Sequence, residues 1–184
     1  RRGMFFGYKM PFLKEAASAL RKYHGYYFSW AILYTFWYHP MEFNAGHLLG
    51  FLYMFFLLLQ GSLFFTRMHV NPRWTIFSEL SVVLHGTVVA ILAAQEWPRF
   101  FGGFLGMFVI TQMHGLGLSK SVRWALGIAY VVAMYFVYTY TQGIEYFYEA
   151  GIIPITEFML VVLLSVIVVG LARLMGYRQS RAAT

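Results

Sequence analysis

The chain contains no cysteine and no aspartate. Without cysteine it forms no disulfide, offers a metal no thiolate and has no thiol nucleophile, and its redox compartment is not written in it. Without aspartate, two-Asp acid–base chemistry and Asp-based phosphoryl transfer are excluded, because all seven acids are glutamates. Charge of either sign is scarce. It makes up 11% of the 184 residues, where soluble domains carry roughly a quarter. The motifs HxxxH, HExxH and GxSxG and the phosphate-binding glycine loops are also missing. No signal peptide with a small-residue cleavage site is read at the start. The first residue is Arg1, not methionine, so the chain is expected to be a piece of a longer one.

What is present is apolar: 60% of residues are hydrophobic and 21% aromatic. Runs of roughly 20 apolar residues cross about 30 Å of hydrocarbon. Six such runs are read, at residues 25–38, 43–65, 75–94, 100–118, 122–141 and 152–174. The basic residues give an independent check on that count. Thirteen of the fourteen fall on one side of it, before span one, between spans two and three, between spans four and five, and after span six. Only Arg99 falls on the other side, with Glu42, Glu96, Glu145 and Glu149. The positive-inside rule makes the basic side cytoplasmic. The fold expected is therefore an all-α integral membrane protein, a bundle of six transmembrane helices with both termini cytoplasmic. Its expected home is a bacterial inner membrane. The net charge of +7 then serves topology and lipid headgroups, and no nucleic-acid partner is expected.

Before the first span, Phe12, Ala16, Leu20 and Tyr23 share a helical stripe while Lys14, Arg21 and Lys22 lie off it. That pattern predicts a short amphipathic helix in the inner interface. The expected divisions are an N-terminal segment 1–24, a transmembrane domain 25–175 and a cytoplasmic tail 176–184. Trp37, Tyr38, Trp74, Trp97, Trp124, Tyr138 and Tyr140 stand near span ends, as an interfacial aromatic belt would. Gly102 and Gly106 form a GxxxG pair that admits a close helix neighbour, in this chain or in another subunit.

Two groups of ionisable side chains sit where hydrocarbon makes them costly. At about 1.5 Å per residue, His85 falls near the midplane. Glu79 lies about 8 Å toward the basic side, and His114 returns on span four to nearly the same depth. This inner group of Glu79, His85 and His114, with Gln60 and Gln112 nearby, is the candidate cofactor-binding set, and Glu79 is expected to meet His114. The outer group is His39, Glu42, His47 and Glu157, converging with Glu145 and Glu149. Imidazole plus carboxylate suits Cu, Fe or Zn where thiolates are missing, so these four are the candidate metal ligands. His24 and His69, at the cytoplasmic edge, receive no assignment, and the turn containing Asn71, Pro72 and Trp74 suggests no chemistry.

No catalytic residue and no known family can be named from these patterns. The function expected is an integral subunit of a membrane oxidoreductase, holding a transition metal, haem or quinone through its intramembrane His and Glu residues. The expected partners are membrane lipids and other membrane subunits or further copies of the chain. Two alternatives stand beside it. One is a six-span sensor or assembly module without catalysis. The other is a proton or cation path through Glu157, His85, Glu79 and His114.

Overall fold

The computed structural model of the chain describes residues 14–38, 45–113 and 116–174, with residues 15–17, 19, 20, 38, 47, 112 and 172 described in backbone only. Six α-helices account for most of it. They are α1 (Lys14–Tyr38), α2 (Ala45–Ser62), α3 (Pro72–Leu92), α4 (Trp97–Met107), α5 (Lys120–Thr141) and α6 (Ile152–Leu174). A π-helical turn, Phe108–Gln112, continues α4, and a 3-10 segment, Ile144–Gly151, leads into α6. There is no strand among the described residues. Three stretches are long and apolar enough to cross a membrane: Pro72–Leu92, Lys120–Thr141 and Ile144–Leu171.

Local chemistry sets the helix boundaries. Asn71 caps α3, its Oδ1 accepting from the Arg73 and Trp74 amides, and Pro72 takes the first helical position, where no amide hydrogen is needed. Ser119 caps α5 by accepting from the Val122 amide. At the far end of α5, Gly143 adopts φ +111°, a conformation that costs other residues steric strain. Its amide closes the helix on the Tyr138 carbonyl at 2.8 Å. Described helical structure continues from α4 through Met113, and the chain turns at Leu116 and Gly117, where φ is +69°.

At the start of the described chain, Lys14–Tyr38 is a single uninterrupted helix, which joins residues 14–24 to the first apolar run. Between Leu20 and Tyr26 there is no proline and no capping residue. A lone glycine at 25 costs only about 1 kcal/mol in a helix, which is too little to break one flanked by good helix formers.

The helix α4 is the hub of the bundle, packed against α3, α5, α6 and the 3-10 segment, while α1 leans on α2 and α6. Its glycines allow this crowding. A Cβ at Gly102 would lie 2.5 Å from Met134 Cε, one at Gly103 would lie 2.8 Å from Ile153 Cβ, and one at Gly106 would lie 2.8 Å from the Tyr130 hydroxyl. The GxxxG surface is thus filled from within the chain, by α5 and α6. Across the groove, the Tyr130 hydroxyl donates to the Gly102 carbonyl at 2.9 Å. Much of the outer surface of the bundle is apolar and exposed, including Tyr34, Leu52, Phe55, Leu84, Ile128 and Leu163.

Candidate functional site

The bundle has a basic end, where Arg67, Arg73 and Lys120 stand at turns and helix starts, and an acidic end with Glu96, Glu145 and Glu149. At the basic end the helices splay around a cavity of about 740 Å³. Four pieces of the chain wall it: α1, the second half of α2, the turn leading into α3 together with the first half of α3, and Leu116. Most of the lining is apolar, with Phe28, Leu57, Ile76 and Val82 among it. The polar groups are few: His24, His69, Gln60, Tyr53, Thr75, Ser78 and Glu79. A concave, mainly apolar site of this size with several converging polar groups is the usual form of a small-molecule site.

Two hydroxyl groups of the wall are turned back on their own helix. Thr75 and Ser78 donate to the carbonyls of Asn71 and Trp74, one turn earlier. The polar character of the cavity therefore rests on the two histidines, Gln60, Tyr53 and Glu79. Gln60 is the keystone. Its Oε1 accepts from the Trp74 indole and its Nε2 faces His69 Nδ1 at 3.2 Å. This ties α2, the turn and α3 into one wall. The imidazole of His69 stacks on that of His24, with ring centres 5.9 Å apart and planes 16° from parallel. Partial burial, followed by the neighbouring His24, pulls the His69 pKa below its ordinary 6.5.

The sequence-derived inner group is divided by the structure. Glu79 lines the cavity, and its Oε2 is closed off from the surface. His85 sits one ring behind the wall, stacked on the cavity residue Tyr53 at 4.3 Å and 11°. Neither Glu79 nor His85 is without an interaction partner. His114 lies outside the described residues, so its expected meeting with Glu79 does too. The sequence passed over His24, His69 and Trp74. The signal that was present is that all three lie near the basic ends of neighbouring spans, at one depth.

Of the outer group, His39 and Glu42 lie outside the described residues, as does the side chain of His47. Glu157 is on an exposed face of α6. No group of three or more His or Glu side chains positioned to hold a metal ion occurs among the described residues. Glu149 takes a different role from the expected one. It is 4% exposed and accepts from Arg99 Nη2 at 2.6 Å, while Glu96 holds the same guanidinium nitrogen at 2.8 Å. Tyr138, expected in the aromatic belt, is fully buried instead. It packs with Met134 and Ala150 in the core and meets the Phe147 ring edge-on. Proximity to a span end gave its depth but not its direction, and it faces α4, not lipid. Trp37, Trp124 and Tyr140 are exposed, as a belt requires.

The chain matches no protein-family model, and no curated protein or solved structure matches it.

Proposed function

We propose that the chain is a six-span membrane subunit whose basic-end cavity holds the ring of a membrane-soluble quinone, as part of a membrane oxidoreductase complex. Support for the topology comes from the charge pattern, with thirteen of fourteen basic residues on one side of the six runs. That side faces the cytoplasm, and the membrane is a bacterial inner membrane.

The observation that carries the ligand class is the cavity itself. Its volume of about 740 Å³ accommodates a substituted ring, and its wall offers flat partners in Phe28 and Tyr53. The imidazoles of His24 and His69 are hydrogen-bonding groups for ring oxygens. The cavity lies between spans, so a ligand dissolved in the bilayer reaches it without crossing water. Among the three cofactor classes expected from sequence, a quinone needs the fewest fixed ligands, and hydrogen bonds suffice to orient it.

The test is lipid analysis and binding. Protein purified in mild detergent should carry a quinone in near-stoichiometric amount. When reconstituted in nanodiscs, it should take up decylubiquinone saturably. Ser78→Phe, which fills the cavity from its wall, should abolish that uptake. Absence of co-purified quinone together with non-saturable uptake would overturn the proposal.

A further inference from the structure

The hydrogen bonds around the cavity fix which nitrogen of each histidine carries its proton. The Trp74 indole can only donate, so the Gln60 atom it meets is Oε1. The Gln60 amide nitrogen is then the group facing His69 Nδ1 at 3.2 Å. That nitrogen can only donate, so His69 Nδ1 must accept and carries no proton. A neutral imidazole with a bare Nδ1 holds its proton on Nε2. His69 therefore presents an N–H donor. The second ring is set the opposite way. His24 Nδ1 lies 2.8 Å from the Arg21 carbonyl, which can only accept. In the neutral ring His24 Nδ1 carries the proton, and its Nε2 is then a bare acceptor. Neither Nε2 is engaged by a hydrogen bond among the described residues. Both rings line the cavity, stacked 5.9 Å apart.

Resting on the quinone reading, we infer that the cavity selects the hydroquinone over the quinone, through His24 Nε2 as acceptor and His69 Nε2–H as donor. A quinone carries carbonyl oxygens only, so it satisfies His69 and leaves the lone pair of His24 unused. A hydroquinone hydroxyl donates to His24, and its other oxygen accepts from His69. Gln60 is a positioning residue in this scheme, since its amide nitrogen keeps His69 Nδ1 an acceptor and so holds the proton on Nε2.

The experiment measures anaerobic partition of decylubiquinol and decylubiquinone between protein-loaded and empty nanodiscs, quantified by chromatography. One additional neutral hydrogen bond is worth about 1 kcal/mol, or about fivefold in affinity. Wild-type protein should favour the quinol by about that factor. His24→Phe should reduce quinol binding to the level of the quinone and leave quinone binding unchanged, which also shows the cavity intact. If His24→Phe binds neither form, His24→Gln decides, because its amide oxygen keeps an acceptor. A retained quinol preference in that variant supports the assignment, and equal binding overturns it. Equal binding of both forms by wild-type protein, or a preference that survives in His24→Phe, overturns the inference and leaves the proposed function standing. Binding of neither form by wild-type protein overturns the quinone reading itself.

Discussion

At the acidic end of the bundle, Arg99 and Glu149 meet at 2.6 Å against a packed core of Met134, Tyr138 and Ala150. At the basic end, His24, His69 and Gln60 stand around about 740 Å³ of space. Both ends draw ionisable groups in from the surface, and they satisfy them differently. The acidic end neutralises charge with charge, a buried Glu149 against an Arg99 that is 36% exposed. The basic end sets His24, His69 and Gln60 beside the Glu79 carboxylate and leaves Nε2 of each histidine open. Burying a charge pair is costly and rarely adds net stability, so the acidic end works as a clasp that sets helix register. A half-satisfied neutral network is cheaper to keep and can exchange its last partner for a ligand. If this contrast is sound, damage at the acidic end should unfold the protein, and damage at the basic end should mainly change what it binds.

The largest effect should come from Gly103→Leu. A Cβ there already meets three Ile153 atoms within 2.9 Å, and overpacking typically costs about 1–3 kcal/mol, with more for a side chain that has no space at all. A loss of at least about 3 kcal/mol is expected in denaturant titration in micelles. Gly127→Leu is the matched control, since nothing lies within 4 Å of a Cβ at that position. It should lose no stability and gain up to about 1 kcal/mol from the better helix former. Equal losses at the two sites would break the claim that α4 is the packed hub. Next in size is Glu149→Gln. It removes the charge from a bond made at 4% exposure, while Arg99 keeps Glu96 at 2.8 Å. A loss of about 2 kcal/mol is expected, with cavity binding unchanged.

These expectations separate what was legible in the sequence from what was not. Three of the six runs stand out as spanning helices because length and apolarity are local properties: 72–92, 120–141 and 144–171. Glu79, which lines the cavity, stood out in the sequence because a carboxylate inside an apolar run has few bland explanations. Arg99 was marked as the lone basic residue on its side, although not as the partner of Glu149, 50 positions away. The pairing of His24 with His69 was not legible. Each looks like an ordinary polar residue at a helix edge. Their meeting depends on how α1 and the turn after α2 align, which no local pattern encodes. The continuity of α1 was not settled by the sequence for a related reason. An amphipathic stretch and an apolar stretch share the same helical period, so a change of composition resembles a change of element.

Gln60→Leu sharpens the comparison from the other side. It strips the Trp74 indole and His69 Nδ1 of their shared partner, and the residue is only half-buried. About 1 kcal/mol of stability should be lost, well below the losses at the acidic end. Binding should change more than folding does, because the His69 proton is no longer pinned to Nε2. A stability loss as large as that of Glu149→Gln would show that the basic end is as much a clasp as the acidic one.

The smallest effect is a pH dependence confined to the basic end. Burial, with His24 beside it, holds the His69 pKa below 6.5, so between that lowered value and 6.5 the unfolded chain binds a proton that the folded one refuses. By linkage, falling pH then favours the open state. The contribution of His69 is complete above 6.5 and is lost as the pH drops through the folded value. Protonation also turns His69 Nδ1 into a donor facing the Gln60 amide, itself a donor, and breaks the bridge to Trp74. Amide hydrogen exchange around Asn71–Thr75 should therefore accelerate below pH 6.5, after correction for intrinsic rates, while exchange around Tyr138–Gln142 should not. In His69→Asn the difference should disappear. An acceleration shared by both ends would locate the pH response in the bundle as a whole and not in this imidazole.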